Sequence, residues 1–184
     1  MEEYNIEKAS VDDFIGIRGT VKIENGEYIA IGRNHWVGQG LETIGNYLVN
    51  VNSLTSAGNG WEIYIGSDTS TATTVEMTSL VSPIGSAPGT APNTTSQSGT
   101  YYSTSTIPVV LTYIATWNAG TVSGTLGEAG LYLTIITNSL TNGSNASSPG
   151  LASRLSAADG SFTAFTINTA AALTVTWTVN LVYA

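Results

Sequence analysis

The stretch Leu-Thr-Val-Thr-Trp-Thr-Val-Asn-Leu-Val-Tyr, from Leu173 to Tyr183, decides the fold class of this chain. Apolar residues alternate with small polar residues throughout, which is the period-2 pattern of a strand with one buried face. Threonine on the polar face also favours a strand, so propensity and pattern agree. Such a strand needs a sheet and a second layer to cover its apolar face. We therefore expect the rest of the chain to supply strands, with Phe162 to Ile167 and Glu128 to Thr137 as partners.

The composition limits both size and function. A chain of 184 residues suits one domain, or one domain with an arm. The absence of cysteine excludes disulfides and thiolate metal sites. Only 10% of the residues are charged and the formal net charge is -8, with five basic residues. A phosphate backbone would be repelled, so we do not expect nucleic-acid binding.

The first thirteen residues differ from the rest of the chain. Met1 to Asp13 is acidic and polar, and we interpret it as a flexible or partner-docked arm. An acidic start is the opposite of a signal peptide. No apolar run is long enough to span a bilayer, so membrane insertion is not expected.

Residues 14–33 and 36–50 predict a hairpin and a short helix. In the first segment, alternating apolar residues lead to Asn25-Gly26, a strong two-residue turn signature, and a second alternating run returns. In the second segment, apolar residues recur at helical spacing. They are Val37, Leu41, Ile44 and Leu48.

From Trp61 to the end the chain predicts strands and turns only. The polar stretches Ser82 to Gly99 and Asn138 to Gly150 are expected to be long exposed loops. Besides those already named, the strand candidates are Trp61 to Gly66, Val75 to Ile84, Tyr101 to Trp117, Thr121 to Thr125 and Leu151 to Ala157. The prediction is one all-β domain over residues 14–184: an antiparallel, jelly-roll-like β-sandwich with one short helix and an N-terminal arm or hairpin.

Residues that could carry out chemistry are sparse. His35 is the single histidine and has no matching nucleophile motif, so we interpret it as structural. The carboxylates are scattered singly. Asp68-Thr69-Ser70 and Asp159-Gly160-Ser161 could each lend oxygens to Ca²⁺, but neither resembles an EF-hand loop, and we favour turns. The sequence therefore predicts no catalytic residues, no metal, no cofactor and no enzymatic activity.

Two other sets of residues are singled out. Glu128 opens a strand and Arg154 is one of the few basic residues, so neighbouring strands would make them a partly buried structural pair. Tyr101 and Tyr102 border a polar loop, where they could stack on a glycan or contact a host receptor, or else anchor the entry of a strand. The Asn-X-Ser/Thr triplets at Asn93, Asn142 and Asn145 match the glycosylation acceptor pattern.

The order of several short motifs is informative. They are Gly40-Leu41 with Ile44, Ile63 to Ser67, Val122 to Tyr132, Leu151 to Arg154, Phe162 to Ile167, and Leu173 to Val179. This succession resembles small β-rich virion structural proteins of tailed phages and archaeal viruses, of the tail-fibre-like or minor structural kind. The resemblance covers roughly Trp36 to Ala184, and the Ser82 to Gly99 insertion departs from it.

The resemblance implies a role in a particle rather than a chemistry. The expectation is a non-enzymatic virion protein, made in the host cytoplasm, that self-assembles as a tail, fibre or capsid-decoration component. Its expected partners are further copies of itself, other virion proteins and host surface glycans. A carbohydrate-binding β-sandwich module and an extracellular filament subunit remain as alternatives.

Overall fold

The computed structural model describes residues 15–42, 61–84, 97–99, 109–134 and 149–183. The predicted arm over residues 1–13 lies outside these ranges. The strands are β1 (Ile15–Asn25), β2 (Tyr28–Arg33), β3 (His35–Trp36), β4 (Trp61–Gly66), β5 (Gln97–Gly99), β6 (Val109–Trp117), β7 (Thr125–Leu126), β8 (Glu128–Thr134), β9 (Pro149–Ser156), β10 (Phe165–Thr166) and β11 (Leu173–Tyr183).

The strands form three antiparallel sheets. One has five strands in the order β2-β1-β11-β6-β5, one has four in the order β3-β9-β8-β4, and β10 pairs with β7. This architecture confirms the predicted all-β class with antiparallel sheets. The jelly-roll-like connection stays a prediction. Among the described residues, no helix has the length and apolar character needed to cross a membrane.

β11 is the middle strand of the five-stranded sheet. It pairs along its length with β1, from Leu173 opposite Asn25 to Tyr183 opposite Ile15, and on its other side with β6. Its apolar residues from 173 to 179 are buried and the intervening threonines are half-buried, as the alternation predicts. The expected partners are wrong, because β8 belongs to the opposite sheet and β10 pairs with β7. Closeness along the chain did not decide the pairing.

The main core lies between the two larger sheets. Trp177 of β11 is completely buried there, together with inward residues of β1, β4, β8 and β9. These inward residues are Val21, Ile23, Ile63, Ile65, Ala129, Leu131 and Leu155. In both larger sheets, the period-2 alternation therefore places the apolar side chains of each strand in this core.

A polar link crosses this core at Gly19. With its amide oriented to satisfy both atoms, Asn34 donates to Gly19 O at 2.6 Å and accepts from Trp177 Nε1 at 3.2 Å. A β-carbon at position 19 would overlap that amide. Glycine thus interrupts the apolar alternation of β1 because the Asn34 side chain occupies the space.

The predicted hairpin is present, but its turn lies one residue further along the chain. Asn25 remains in the strand opposite Tyr28, and the turn is formed by Gly26, with φ of 64°, and Glu27. The buried Asn25 amide nitrogen donates to the carbonyl oxygens of residues 168, 171 and 172 at 3.2–3.3 Å. Its oxygen accepts from Asn168 N at 2.6 Å. Asn25 therefore anchors the turn that precedes β11.

The helix begins later than predicted. His35–Trp36 forms β3, Val37 N donates to Ala152 O at 3.1 Å, and the described helical residues are 38–42. Pairing with β9 holds this segment extended up to Val37. Leu41 is exposed, contrary to the predicted apolar stripe. Residues 43–50 lie outside the described ranges.

Several strand boundaries also differ from expectation. The segment Val75 to Ile84 forms no strand. It makes one isolated antiparallel β-bridge, between Pro83 and Gly66. Only Phe165–Thr166 of the predicted Phe162 to Ile167 strand forms, and β7 extends no further back than Thr125. Gln97–Gly99, placed in a loop by its polar composition, pairs with β6 as β5. Backbone pairing with a neighbour outweighs side-chain pattern in such short segments.

We expect Asn25→Ala to lower the free energy of unfolding by about 2 kcal/mol, because it removes the four hydrogen bonds that the buried Asn25 amide makes to the turn before β11. Urea unfolding followed by tryptophan fluorescence measures the change. Asn118→Ala, in the exposed turn after β6, is the control and should stay within about 0.5 kcal/mol of the parent. Equal stability of the two variants would contradict the anchoring role.

Candidate functional site

The candidate site is a buried charge cluster of Asp68, Glu128 and Arg154. Arg154 lies on β9 opposite Gly130 of β8, and Glu128 lies two residues before Gly130. The period of two places both charged side chains on the same face of the sheet, away from the main core. Residues 67–82, called here the covering loop, lie over this face. Arg154 and Glu128 have no exposed surface.

Every N–H of the Arg154 guanidinium has an acceptor. Nε donates to Glu128 Oε2 at 2.9 Å, and Nη2 lies 2.7 Å from the same oxygen and 3.1 Å from Asp68 Oδ2. Nη1 donates to Thr71 O at 2.8 Å and to Thr73 Oγ1 at 3.3 Å. Since the group has five donors, its hydrogen-bonding capacity is fully used by this chain.

Glu128 connects the same cluster to the far end of the covering loop. Its carboxylate accepts from Ser82 N at 2.7 Å and from Val81 N at 3.2 Å. Gly66 lies opposite Glu128 in the neighbouring strand, and a β-carbon there would collide with the carboxylate. The sequence predicted a partly buried Glu128–Arg154 pair; the structure places the two in contact and buries them completely.

Asp68 holds the beginning of the covering loop. Its carboxylate accepts from Ser70 N at 3.4 Å, which closes an Asx turn, and also from Thr71 N at 2.9 Å and Ser70 Oγ at 3.0 Å. Burial by itself would raise the pKa of Asp68, but hydrogen bonds from Thr71 and Ser70 outweigh it and hold the pKa below its ordinary value of 3.8. Asp68 thus acts through turn geometry and an ion pair with Arg154.

The second candidate calcium loop is part of the same network. Asp159 accepts from Thr73 N at 2.8 Å and from Thr73 Oγ1 at 2.5 Å. His35 Nε2 lies 3.9 Å from Asp159 Oδ2, with about half of the His35 side chain exposed at 52%. Thr73 therefore connects Arg154 to Asp159. Among the described residues, no group of three or more His, Cys, Asp or Glu side chains could hold a metal ion.

A small apolar cluster supports the charge cluster from the side. Val37, Leu80 and Leu151 are buried under the covering loop, and Tyr64 packs edge-on against Tyr132 with ring centroids 4.6 Å apart. Leu80 N donates to the Tyr132 hydroxyl at 2.8 Å. Burial, together with a hydrogen bond to Glu62, raises the pKa of Tyr64 to about 12. The covering loop is thus fixed by charges at both ends and by apolar packing between them.

The candidate glycan contacts Tyr101 and Tyr102 lie outside the described residues, as do the acceptor sites at Asn93, Asn142 and Asn145. Sequence reasoning identified Glu128 and Arg154 but missed Asp68, Thr71 and Thr73 as their partners. The Asp-Thr-Ser turn could have suggested Asp68, because such turns recur at loop entrances. Nothing local predicts that this loop folds back onto Arg154.

Comparisons with models of protein families, with curated proteins and with solved structures find no match to this chain. The contacts of the charge cluster therefore indicate its role. The guanidinium has every donor engaged within the protein, and both carboxylates accept from backbone N–H groups of the covering loop. The arrangement locks the covering loop onto the sheet.

We expect Glu128→Ala to destabilise the protein by about 3–5 kcal/mol, because it leaves the Arg154 charge buried without its main partner. The double variant Glu128→Leu with Arg154→Met should recover part of the loss, since it removes both charges. Glu76→Ala, at an exposed position, is the control. Urea unfolding at neutral pH measures all three, and an unchanged Glu128→Ala variant would refute the locking role.

The lowered pKa of Asp68 predicts loss of stability in acid. A depressed carboxyl pKa contributes stability above the unfolded-state pKa, and the contribution is lost as the pH falls from about 3.8 through the lower folded-state pKa. Asp68→Asn should therefore be less stable than the parent at neutral pH and show a shallower acid-induced decrease. Unfolding free energies across the acid range test this, with Glu76→Gln as the charge control. Parallel curves for Asp68→Asn and the parent would contradict it.

Proposed function

We propose that this protein is a structural subunit that self-assembles as a tail, fibre or capsid-decoration component of a virus particle. The observation that carries the proposal is the outer face of the five-stranded sheet. The described part of this face on β6 and β11 has no charged side chain and consists mainly of threonines. They are Thr112, Thr116, Thr174, Thr176 and Thr178.

The outer face is regular because the threonines lie opposite each other in register. Thr178 pairs with Thr112 and Thr174 pairs with Thr116, and the Thr116 and Thr174 hydroxyls lie 3.1 Å apart. Cross-strand threonine pairs stabilise a sheet while leaving methyl groups on its surface. Covering such a face avoids the desolvation of lysine and glutamate side chains, which are depleted from the cores of protein interfaces. The face therefore suits contact with another protein surface.

The charge cluster supports the same proposal from the other sheet. Its carboxylates and guanidinium stabilise the fold and engage one another, so they contribute rigidity rather than a reactive centre. A rigid sandwich whose outer face is uncharged over β6 and β11 is suited to repeated packing there. The resemblance of the motif order to virion structural proteins supports the proposal that this packing occurs in a particle.

The test is whether the purified protein assembles. Sedimentation velocity over a range of micromolar concentrations and negative-stain electron microscopy should show discrete oligomers or ordered assemblies. An antiserum against the protein should label particles in a virus preparation from its source. A chain that stays monomeric at every concentration and labels no particle would refute the proposal.

The same preparation separates the alternatives. Specific binding on a glycan array by a monomeric chain would favour the carbohydrate-binding module. Long unbranched filaments without labelled particles would favour the filament subunit. Both results differ from the discrete, particle-associated oligomers that we expect.

A further inference from the structure

The geometry points to β2 as a self-complementary edge through which two copies of this chain join into one continuous sheet. We infer an antiparallel β2–β2 pairing about a two-fold axis, with Ala30 of one copy opposite Ala30 of the second copy. The inference deepens the proposed function and rests on it, since it specifies one surface by which the subunit self-associates.

Within the described part of the chain, the backbone of β2 is paired on one side only. β2 is the last strand of its sheet and pairs with β1 alone among the described strands. Asn25 and Tyr28 flank a two-residue turn, so they form a hydrogen-bonded pair and the hydrogen-bonded positions of β2 are 28, 30 and 32. The N–H and C=O groups of Ile29, Ile31 and Arg33 therefore point outward, where a further strand can bind.

The side chains of β2 do not protect this edge. Ile29 and Ile31 are 57% and 68% exposed, the largest values among the exposed large hydrophobic residues in the described ranges. Sheet edges that face water are commonly blunted by lysine, proline or a bulge, and none of these occurs within β2. An apolar, regularly paired edge of this kind is a template for another strand.

The inner face of β2 is firmly held. The Tyr28 ring stacks on Phe165 with centroids 3.8 Å apart, and its hydroxyl donates to Thr163 O at 2.9 Å. A β-carbon at Gly32 would collide with Ser161 O, so the strand lies tightly against this segment. The edge is therefore already in strand conformation, which lowers the entropy cost of adding a partner.

The sequence of β2 and its turn is complementary to itself in one register. When Ala30 faces Ala30, Ile29 faces Ile31 of the second copy and Glu27 faces Arg33 of the second copy. Glu27 and Arg33 are both exposed, and neither takes part in an ion pair within the described part of the chain. The match supplies apolar contacts at the centre and opposite charges at both ends.

The same register satisfies the backbone. The outward groups of Ile29 meet those of Ile31 in the second copy, and each such pair can exchange both of its N–H···O bonds. A register centred on Ile31 also satisfies the backbone, but it places Ile29 opposite Arg33 and leaves Glu27 without its partner. Side-chain complementarity therefore selects the register centred on Ala30.

Cross-linking tests the register directly, because the chain contains no cysteine. Opposed residues at a non-hydrogen-bonded position have Cα atoms about 4.5 Å apart, within the range that a disulfide spans. Ala30→Cys should form a covalent dimer under mild oxidation. Ile31→Cys is the matched control and should not, because position 31 faces position 29 of the second copy. Efficient cross-linking of Ile31→Cys but not of Ala30→Cys would overturn the proposed register.

Substitution of the exposed apolar side chain tests the surface. Ile31→Lys should weaken dimerisation at least about tenfold, because lysine on an edge opposes strand addition. Val75→Lys is the matched control, since Val75 is 55% exposed in the covering loop, and it should dimerise like the parent. Circular dichroism and melting temperature establish that both variants fold. Sedimentation velocity gives the dissociation constants.

Charge exchange tests the ends of the interface. Glu27→Arg alone should weaken the dimer by placing like charges together, and Arg33→Glu alone should do the same. The double variant exchanges the charges and should restore the dimer. Each contact between positions 27 and 33 then again joins one acidic and one basic side chain. A double variant that is no better than the single ones would overturn this complementarity.

The results of these experiments distinguish failure of the β2 pairing from failure of the proposed function. A parent protein that never self-associates refutes both. Oligomers that persist in Ile31→Lys, with no Ala30→Cys cross-link, overturn the edge pairing and leave self-assembly standing. Deletion of residues 1–13 completes the test: if it abolishes an association that Ile31→Lys leaves intact, the copies associate through the arm and the β2 pairing is wrong.

Discussion

A buried guanidinium is the constraint on which the four-stranded sheet and its covering loop depend. Arg154 has no exposed surface, so its five N–H donors must all find acceptors inside the protein. β8 supplies Glu128, and the covering loop supplies Asp68, Thr71 and Thr73. Because loop atoms complete the set, these bonds tie the loop to the sheet. A fully buried charged group thus holds a long irregular segment in place.

The two large sheets use their outer faces differently. The four-stranded sheet buries its outer face under the covering loop, with an apolar cluster around Leu80 and Leu151 beside the charges. The five-stranded sheet presents threonines on the outer face of β6 and β11 and two exposed isoleucines on β2. One face is closed by the chain itself, and the other is uncharged over β6 and β11, apolar at Ile29 and Ile31, and charged on β1 at Arg18, Lys22 and Glu24. This asymmetry is the physical basis of the proposal that the molecule is an assembly subunit.

Local sequence pattern predicted the segments in which apolar and polar residues alternate regularly. The alternation in Leu173 to Tyr183 and in β4, and the turn residues after β1, were sufficient to predict those strands and the hairpin. Pattern failed where tertiary contact competes with it. Trp36 is extended because it pairs with Ser153, and Gln97–Gly99 is a strand because β6 offers it an edge. For the site, the pairing of Glu128 with Arg154 was predictable from the scarcity of basic residues, but its third charged partner was not.

The sequence by itself determined the all-β class, the buried face of β11 and the absence of cysteine chemistry, because these follow from residue type and from a period of two. Only the tertiary structure decided which strands are neighbours, that Asp68 reaches Arg154, and that Ile29 and Ile31 rather than Ala30 face outward on β2. Those outcomes depend on contacts between residues far apart in the chain. A strand pattern indicates that one face of the strand must be buried. The packing of the whole domain selects the element that buries it.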